Sequence, residues 1–233
     1  MRLAVIPARG GSKRIPRKNV RPFFGRPMIA WSILAAQASK CFDRIIVSTD
    51  DEEISQIAIS EGCDVPFIRP PELSDDHAGT VPVIAHAVEW ALENGIQANQ
   101  ICCIYATAPF VDPVDIRRGA EVLDREVCDY VFPVASYDAT IQRAIRINGE
   151  GKAEMFYPEH YTTRSQDLEH AYHDAAQFYW GTRSAWLERK AIFLADSVPI
   201  ILPRSRVQDI DTEEDWRYAE LMFAVLSGQP KSA

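Results

Sequence analysis

Two glycines set among cations form the densest chemical signal in the chain: Pro7-Ala8-Arg9-Gly10-Gly11-Ser12-Lys13-Arg14-Ile15-Pro16-Arg17-Lys18-Asn19. Gly10 and Gly11 let a backbone approach a phosphate closely, and their N–H groups can form an anion-binding nest. Arg9, Lys13 and Lys18 supply the charge a triphosphate needs. The spacing is neither that of a Walker A loop nor G-x-G-x-x-G, so a P-loop or dinucleotide site is not implied. Residues 1–42 hold nine Lys and Arg and no Asp or Glu, which leaves 16 basic against 33 acidic residues beyond them. An acidic body with one basic segment reads as an anion site. Nucleic-acid binding wants a broader basic face. The alternative is a solvated basic turn.

Three further constellations could carry chemistry. In Asp209-Ile210-Asp211, alternate residues of an extended segment share a face, and two hard carboxylates there suit Mg²⁺. The competing reading is that Asp211, Thr212 and Asp215 only start a helix. Arg69, in a loop rich in Pro and Asp, could meet a ligand or pair with Glu72 or Asp75; Thr80 follows it. Residues 161–180 gather Tyr161, Arg164, Gln166, His170, Tyr172, His173, Asp174, Gln177, Tyr179 and Trp180. Arg164 could hold a carboxylate through paired hydrogen bonds, and Asp174, Gln177 and the aromatics could bind hydroxyl and amide groups. A polar, aromatic subunit interface has the same composition.

The elements that position these groups follow an alternating rhythm. Apolar runs at 2–6, 44–48, 65–68, 101–104 and 130–135 read as strands. Helical patterns fall at 28–38, 51–61, 80–94 and 113–124, the last with Pro at its start. Such alternation indicates βαβ units and a mostly parallel sheet. It changes near residue 136, and 136–173 reads as an inserted lobe with a hairpin turning at Asn148-Gly149-Glu150-Gly151. Strands resume at 178–181 and 198–202, and a last helix spans 212–226 with Thr212 and Asp215 at capping-box spacing. The chain of 233 residues thus reads as one α/β domain, 1–233, carrying the lobe. No apolar run approaches the ~20 residues of a membrane span. The short apolar N-terminus does not suit a signal peptide. The five cysteines form no C-x-x-C pair and read as reduced, so a cytoplasmic protein is expected.

The glycine-rich run resembles the nucleotide-binding signature of the CMP-sialic acid synthetases. Phe42-Asp43-Arg44-Ile45-Ile46-Val47-Ser48-Thr49-Asp50, Ile68-Arg69-Pro70-Pro71-Glu72-Leu73 and Asp209-Ile210-Asp211-Thr212 agree with that family, in order along nearly the whole chain. The resemblance implies a Rossmann-like three-layer nucleotidyltransferase fold, with the 136–173 lobe serving dimerisation in a homodimer. It implies transfer of CMP from CTP to the anomeric hydroxyl of a nine-carbon 2-keto acid, with release of pyrophosphate. On this reading Ala8, Arg9, Gly10, Gly11, Ser12, Lys13, Asn19, Arg69 and Thr80 bind the nucleotide. Arg9 and Lys18 act in catalysis with Asp209 and Asp211, which hold Mg²⁺. Thr107, Arg164, Gln166, Asp174, Gln177 and Tyr179 meet the sugar, and Asp215 remains a helix cap. No general base is identifiable.

Departures from the sialic acid pattern bear on the acceptor. Sialic acid synthetases commonly carry Gln-Pro-Thr-Ser-Pro where this chain has Ala106-Thr107-Ala108-Pro109, and Arg-x-Asn-Gly where it has His173-Asp174-Ala175-Ala176. Ser74-Asp75-Asp76, Ile104-Tyr105-Ala106-Thr107 and Tyr172-His173-Asp174-Ala175-Ala176-Gln177 resemble instead the branch acting on pseudaminic acid. That branch usually shows Asp-Ala-Gly-Gln, with Gly where Ala176 stands here. Legionaminic acid, N-acetylneuraminic acid and Kdo are the alternative acceptors. A nucleotide-binding regulator is the non-enzyme alternative.

Overall fold

The structure, a computed structural model, describes residues 1–75 and 78–228. In chain order the strands are β1 (Arg2–Pro7), β2 (Pro22–Phe23), β3 (Arg26–Pro27), β4 (Arg44–Ser48), β5 (Gln100–Ile104), β6 (Tyr130–Ser136), β7 (Ile145–Ile147), β8 (Ala153–Met155), β9 (Tyr172–Asp174), β10 (Phe178–Thr182) and β11 (Ser197–Ile201). The α-helices are α1 (Met28–Ser39), α2 (Glu52–Ser60), α3 (Thr80–Glu93), α4 (Pro113–Arg125), α5 (Arg183–Leu187) and α6 (Glu213–Ser227).

The central sheet is ordered β11-β6-β10-β5-β1-β4, with β9 also paired to β6. β4, β1 and β5 run parallel, as do β6 and β11, whereas β9 and β10 run against their neighbours. Both faces of the sheet are buried, so β1 and β5 are apolar without a polar face. Their side chains still alternate. Ala4, Ile6, Cys102 and Ile104 pack under α1, α2 and α4, while Leu3, Val5, Ile101 and Cys103 pack against α3 and α5. This is the expected three-layer α/β arrangement.

Local chemistry starts and stops the helices. The Asp51 carboxylate accepts the Ile54 N–H at the start of α2, and Asp112 caps α4 ahead of Pro113. Thr212 and Asp215 form the expected capping box on α6, which ends at Gly228 with φ +65°. The second face of α6 completes a third core, where Ile15 and Ile210 are fully buried beside Phe23, Trp216 and Phe223.

Two readings need correction. Residues 65–68 do not form a strand; the chain meets β4 and the residue after it at two isolated bridges, Ile46–Asp64 and Thr49–Ile68. Pro66, which has no N–H to donate to a ladder, lies between them. The lobe also ends inside the sheet, because β9 pairs with β6 from residue 172. The 145–155 hairpin is present as β7 and β8. Asp76, the last residue of the Ser74-Asp75-Asp76 run, and His77 lie outside the described residues.

Candidate active site

The cationic loop leaves β1 at the carboxyl end of the parallel strands, where open α/β sheets place ligands. Ala8 extends the ladder, its N–H donating to the Ser48 carbonyl at 2.9 Å. Ile15 anchors the middle of the loop in the third core. The Asn19 side-chain amide donates to the Arg9 carbonyl at 2.9 Å and ties the two ends of the loop together. Asn19 is buried and braces the loop from within. Gly10 donates its N–H to Asp50 Oδ1 at 3.0 Å, and a Cβ there would sit 2.6 Å from Asp51 Oδ2. Close approach to Asp51 therefore requires this glycine. Gly11 faces open space, while the Ser12 N–H turns back to the Gly10 carbonyl at 3.0 Å. A protein acceptor thus takes the Gly10 amide, one of the two expected for the nest. Arg17, at φ +57°, forks onto Asp51 at 2.5 and 2.9 Å and also pairs with Glu53. That pairing holds the Asp51 carboxyl below its ordinary range.

Beside the loop lies a cavity of about 170 Å³ lined by Arg9, Arg69, Asp75, Thr80 and Tyr105. Arg9 donates from Nη1 to the Asp75 carbonyl at 2.8 Å. Arg69 is 4% exposed, and burial lowers its pKa from the usual guanidinium value. It reaches Ser74 Oγ at 3.2 Å and Asp50 Oδ1 at 3.5 Å. Asp50 therefore takes the place of the Glu72 or Asp75 partner considered from the sequence. Thr80 shares a 2.7 Å hydrogen bond with the Tyr105 hydroxyl, which burial pushes up to about 12.

The acidic segment meets the loop from the other side. Ile210 is fully buried, so the alternation holds, and Asp209 and Asp211 both face a groove of about 1340 Å³. Desolvation by the groove walls raises the Asp209 carboxyl above its ordinary value; the Asp211 charge adds to this and Lys18 opposes it. Lys18 Nζ donates to the Ile210 carbonyl at 2.5 Å and lies 3.4 Å from Asp211 Oδ1. Arg14 reaches the same oxygen at 2.8 Å. Asp215 accepts the Thr212 and Asp211 N–H groups as the helix cap. Among the described residues no cluster of three or more His, Cys, Asp or Glu forms a closed metal cage. Two carboxylates on one face of an extended segment, beside an anion loop, nevertheless fit Mg²⁺, which keeps waters and takes phosphate oxygens.

The groove runs between the start of the lobe, residues 204–211 and α6. Asp174 lines it near Asp209 and Asp211. Between β9 and β10 the chain breaks at Ala176, whose φ of +51° lies in the left-handed region that favours glycine. The glycine of the related Asp-Ala-Gly-Gln pattern is thus a backbone requirement that Ala176 meets under strain. Asp174 Oδ1 accepts the Ala176 N–H at 3.0 Å, and its other oxygen accepts the Tyr179 hydroxyl. Tyr179 is buried, and its ring packs against that of Tyr105 with centroids 5.2 Å apart. The Thr80–Tyr105 and Tyr179–Asp174 hydrogen bonds thus lie side by side, joined by the packing of the two tyrosine rings. Gln177 is buried, and its Nε2 donates to the Arg206 carbonyl at 2.6 Å.

Not every expected residue joins this site. Thr107 lies half-buried in the turn after β5. Arg164 and Gln166 are exposed on the lobe, and Arg164 forks onto its neighbour Asp167 at 2.7 and 3.2 Å. Neither lines the groove. Asp50, bonded to Arg69 and Gly10, and Tyr105, lining the small cavity, belong to the site although the residue reading did not single them out. Asp50 and Tyr105 fall inside runs that signalled the resemblance, directly after β4 and β5.

Comparison with known proteins gives the family and the fold. The family model described as Cytidylyltransferase matches residues 3–210. A pseudaminic acid cytidylyltransferase of Campylobacter jejuni subsp. jejuni serotype O:23/36 (strain 81-176) is 43% identical over 223 residues, 96% of each chain. A CMP-N,N'-diacetyllegionaminic acid synthase of Legionella pneumophila subsp. pneumophila is 31% identical over 231 residues, 95% of each. Among solved structures, a CMP:2-keto-3-deoxy-manno-octonic acid synthetase complexed with CTP superposes with a TM-score of 0.71 at 16% identity. That alignment covers 97% of this chain and 99% of the other, and at such identity it concerns the fold.

Proposed function

This chain belongs to the cytidylyltransferase family, and we propose that it transfers CMP from CTP to the anomeric hydroxyl of pseudaminic acid, releasing pyrophosphate. The observation that carries this reading is the junction at Lys18. One ammonium group joins the cationic loop to the carbonyl of Ile210 and the carboxylate of Asp211, so nucleotide and acceptor surfaces meet there. The choice of acceptor rests on the 43% identity with a pseudaminic acid cytidylyltransferase.

In this reading the cytosine and ribose occupy the small cavity, against Arg69 and Thr80. The triphosphate follows the loop past Arg9, Lys13 and Lys18, whose charges offset the negative charge that grows on the leaving pyrophosphate. The acceptor lies in the groove by Asp174. Its anomeric oxygen forms a bond to the α-phosphorus as the bond from that phosphorus to the pyrophosphate oxygen breaks, and the hydroxyl proton leaves with the pyrophosphate or to water. Mg²⁺ held by Asp209 and Asp211 would supply Lewis-acid stabilisation at the α-phosphate. Tyr179, its ring packed on Tyr105, holds Asp174 in place through its hydroxyl.

We also infer a homodimer built through the lobe. Ile145, Ile147, Phe156 and Tyr161 are exposed there, and Arg164 and Gln166 would reach an acceptor only in a second copy's groove. No helix among the described residues is long and apolar enough to cross a membrane. The test is pyrophosphate release from CTP and Mg²⁺ with pseudaminic, legionaminic or N-acetylneuraminic acid in parallel. Release with pseudaminic acid, lost in Asp211→Asn and in EDTA, supports the whole reading. Release only with another sugar refutes the acceptor. No release with any, in folded protein that binds CTP, refutes the enzyme.

A further inference from the structure

The segment that carries Asp209 and Asp211 is not part of a helix or strand, so something else must hold it. Residues 207–209 lie between two anchors. The later anchor is Ile210, buried in the third core. The earlier one is Arg206. Its guanidinium reaches across the fold to the start of α4, with Nη1 2.5 Å from Asp115 Oδ2 and 3.3 Å from Asp112 Oδ2. Asp115 is 5% exposed, and a buried carboxylate demands such a partner. Asp112 is also the cap of α4, accepting the Val114 N–H at 2.7 Å, so the anchor sits on a fixed helix end.

A second tie holds the same residue from the opposite side. Gln177 donates to the Arg206 carbonyl, while its own carbonyl accepts the Tyr105 N–H at 2.9 Å. Arg206 is thereby joined, through Gln177 directly before β10, to Tyr105 directly after β5. Its side chain lines neither cavity. Its place is behind the acidic segment.

We propose that Arg206, clamped by Asp115 and Gln177, is a positioning residue that sets the Asp209–Asp211 carboxylates for a divalent cation. The proposal deepens the reading above and rests on its assignment of these two carboxylates. It also recasts Gln177, expected at the sugar, as part of the clamp. Groups that orient metal ligands from behind typically change metal affinity or turnover 10–100-fold when removed.

The test uses the full-length chain and Mn²⁺ as the probe, titrated by electron paramagnetic resonance with and without CTP. Arg206→Met should weaken Mn²⁺ binding about tenfold or more and lower kcat similarly, with the KM for CTP changed less than about threefold. Arg206→Lys, which keeps the charge but not the fork, should recover part of the loss. Adding Asp115→Asn to Arg206→Met should add little, because the two act as one unit. Circular dichroism confirms folding, and Arg206→Lys alone decides the matter if Arg206→Met does not fold. Folded Arg206 variants whose Mn²⁺ binding and kcat stay within twofold of wild type would overturn the proposal. A wild type that binds Mn²⁺ but transfers CMP to no sugar removes the reaction, and cation binding alone then judges the clamp. A wild type that binds no Mn²⁺ removes the metal site and the clamp's role together.

Discussion

Asp51 does two jobs with one carboxylate, and substitution can separate them. Its Oδ1 caps α2 by accepting the Ile54 N–H at 3.0 Å, and both oxygens take the Arg17 fork. Asp51→Ala loses both. The cap contributes about 1 kcal/mol. The fork is partly solvated, with the Arg17 side chain 41% exposed, so after screening it contributes about 0.5–1 kcal/mol. The total of about 1.5–2 kcal/mol corresponds to a fall in Tm of roughly 3–8 °C for a chain of this size. Asp51→Asn keeps an oxygen for the cap and should lose only the smaller part, roughly 1–4 °C.

The dependence on pH has a definite sign. Arg17 holds the Asp51 carboxyl below its unfolded value. The stabilisation is therefore complete above the unfolded pKa of about 3.9 and disappears as pH falls through the lower folded value. The gap between wild type and Asp51→Asn should be constant near neutrality and close below about pH 4. Thermal unfolding followed by circular dichroism from pH 3 to 8 measures all of this. Equal losses in the Ala and Asn variants at pH 7 would refute the division into cap and fork. A gap that persists unchanged at pH 3 would refute the ion pair. Arg17 lies in the cationic loop, so both variants should also weaken CTP binding by titration calorimetry.

Other expectations follow from single contacts. Ala176→Gly relieves a left-handed alanine and should stabilise the fold by about 0.5–1 kcal/mol, read as a higher Tm. Gly181→Ala would place a Cβ 2.5 Å from Trp186 Nε1 and 2.7 Å from Tyr130 Cδ1, both in buried side chains. Denaturant unfolding should show a loss of about 1–3 kcal/mol. Arg14→Gln removes a competing cation from Asp211 and should tighten Mn²⁺ binding in the absence of nucleotide; weaker binding would mean that Arg14 helps to build the site. EDTA should stop pyrophosphate release, and added Mg²⁺ should restore it.

Much of the fold was legible because its signals are local. The caps at Asp51, Asp112 and Thr212 act within three residues, and the alternating apolar runs of β1 and β5 need only their own pattern. The reading of 65–68 as a strand failed because apolar character does not show whether a partner ladder can continue past Pro66. The cationic loop was also readable as an anion segment from residue type and its position after a strand, while the metal reading of Asp209 and Asp211 and the placing of Arg69 with Thr80 came from the family resemblance.

Partnership across the fold was not legible. Lys18 and Ile210 are separated by 192 positions, Arg206 and Asp115 by 91, and Gly10 and Asp50 by 40. Asn19 and Gly10 carry the right chemistry for a nucleotide, yet the folded chain spends Asn19 on Arg9 and the Gly10 amide on Asp50. Composition could suggest Arg164 for a carboxylate, but only packing shows that it stands exposed beside Asp167. The residue types and local periods thus determined the elements and the kind of chemistry. Tertiary structure decided which polar groups face a ligand, because a buried donor or acceptor takes whatever partner the fold brings to it.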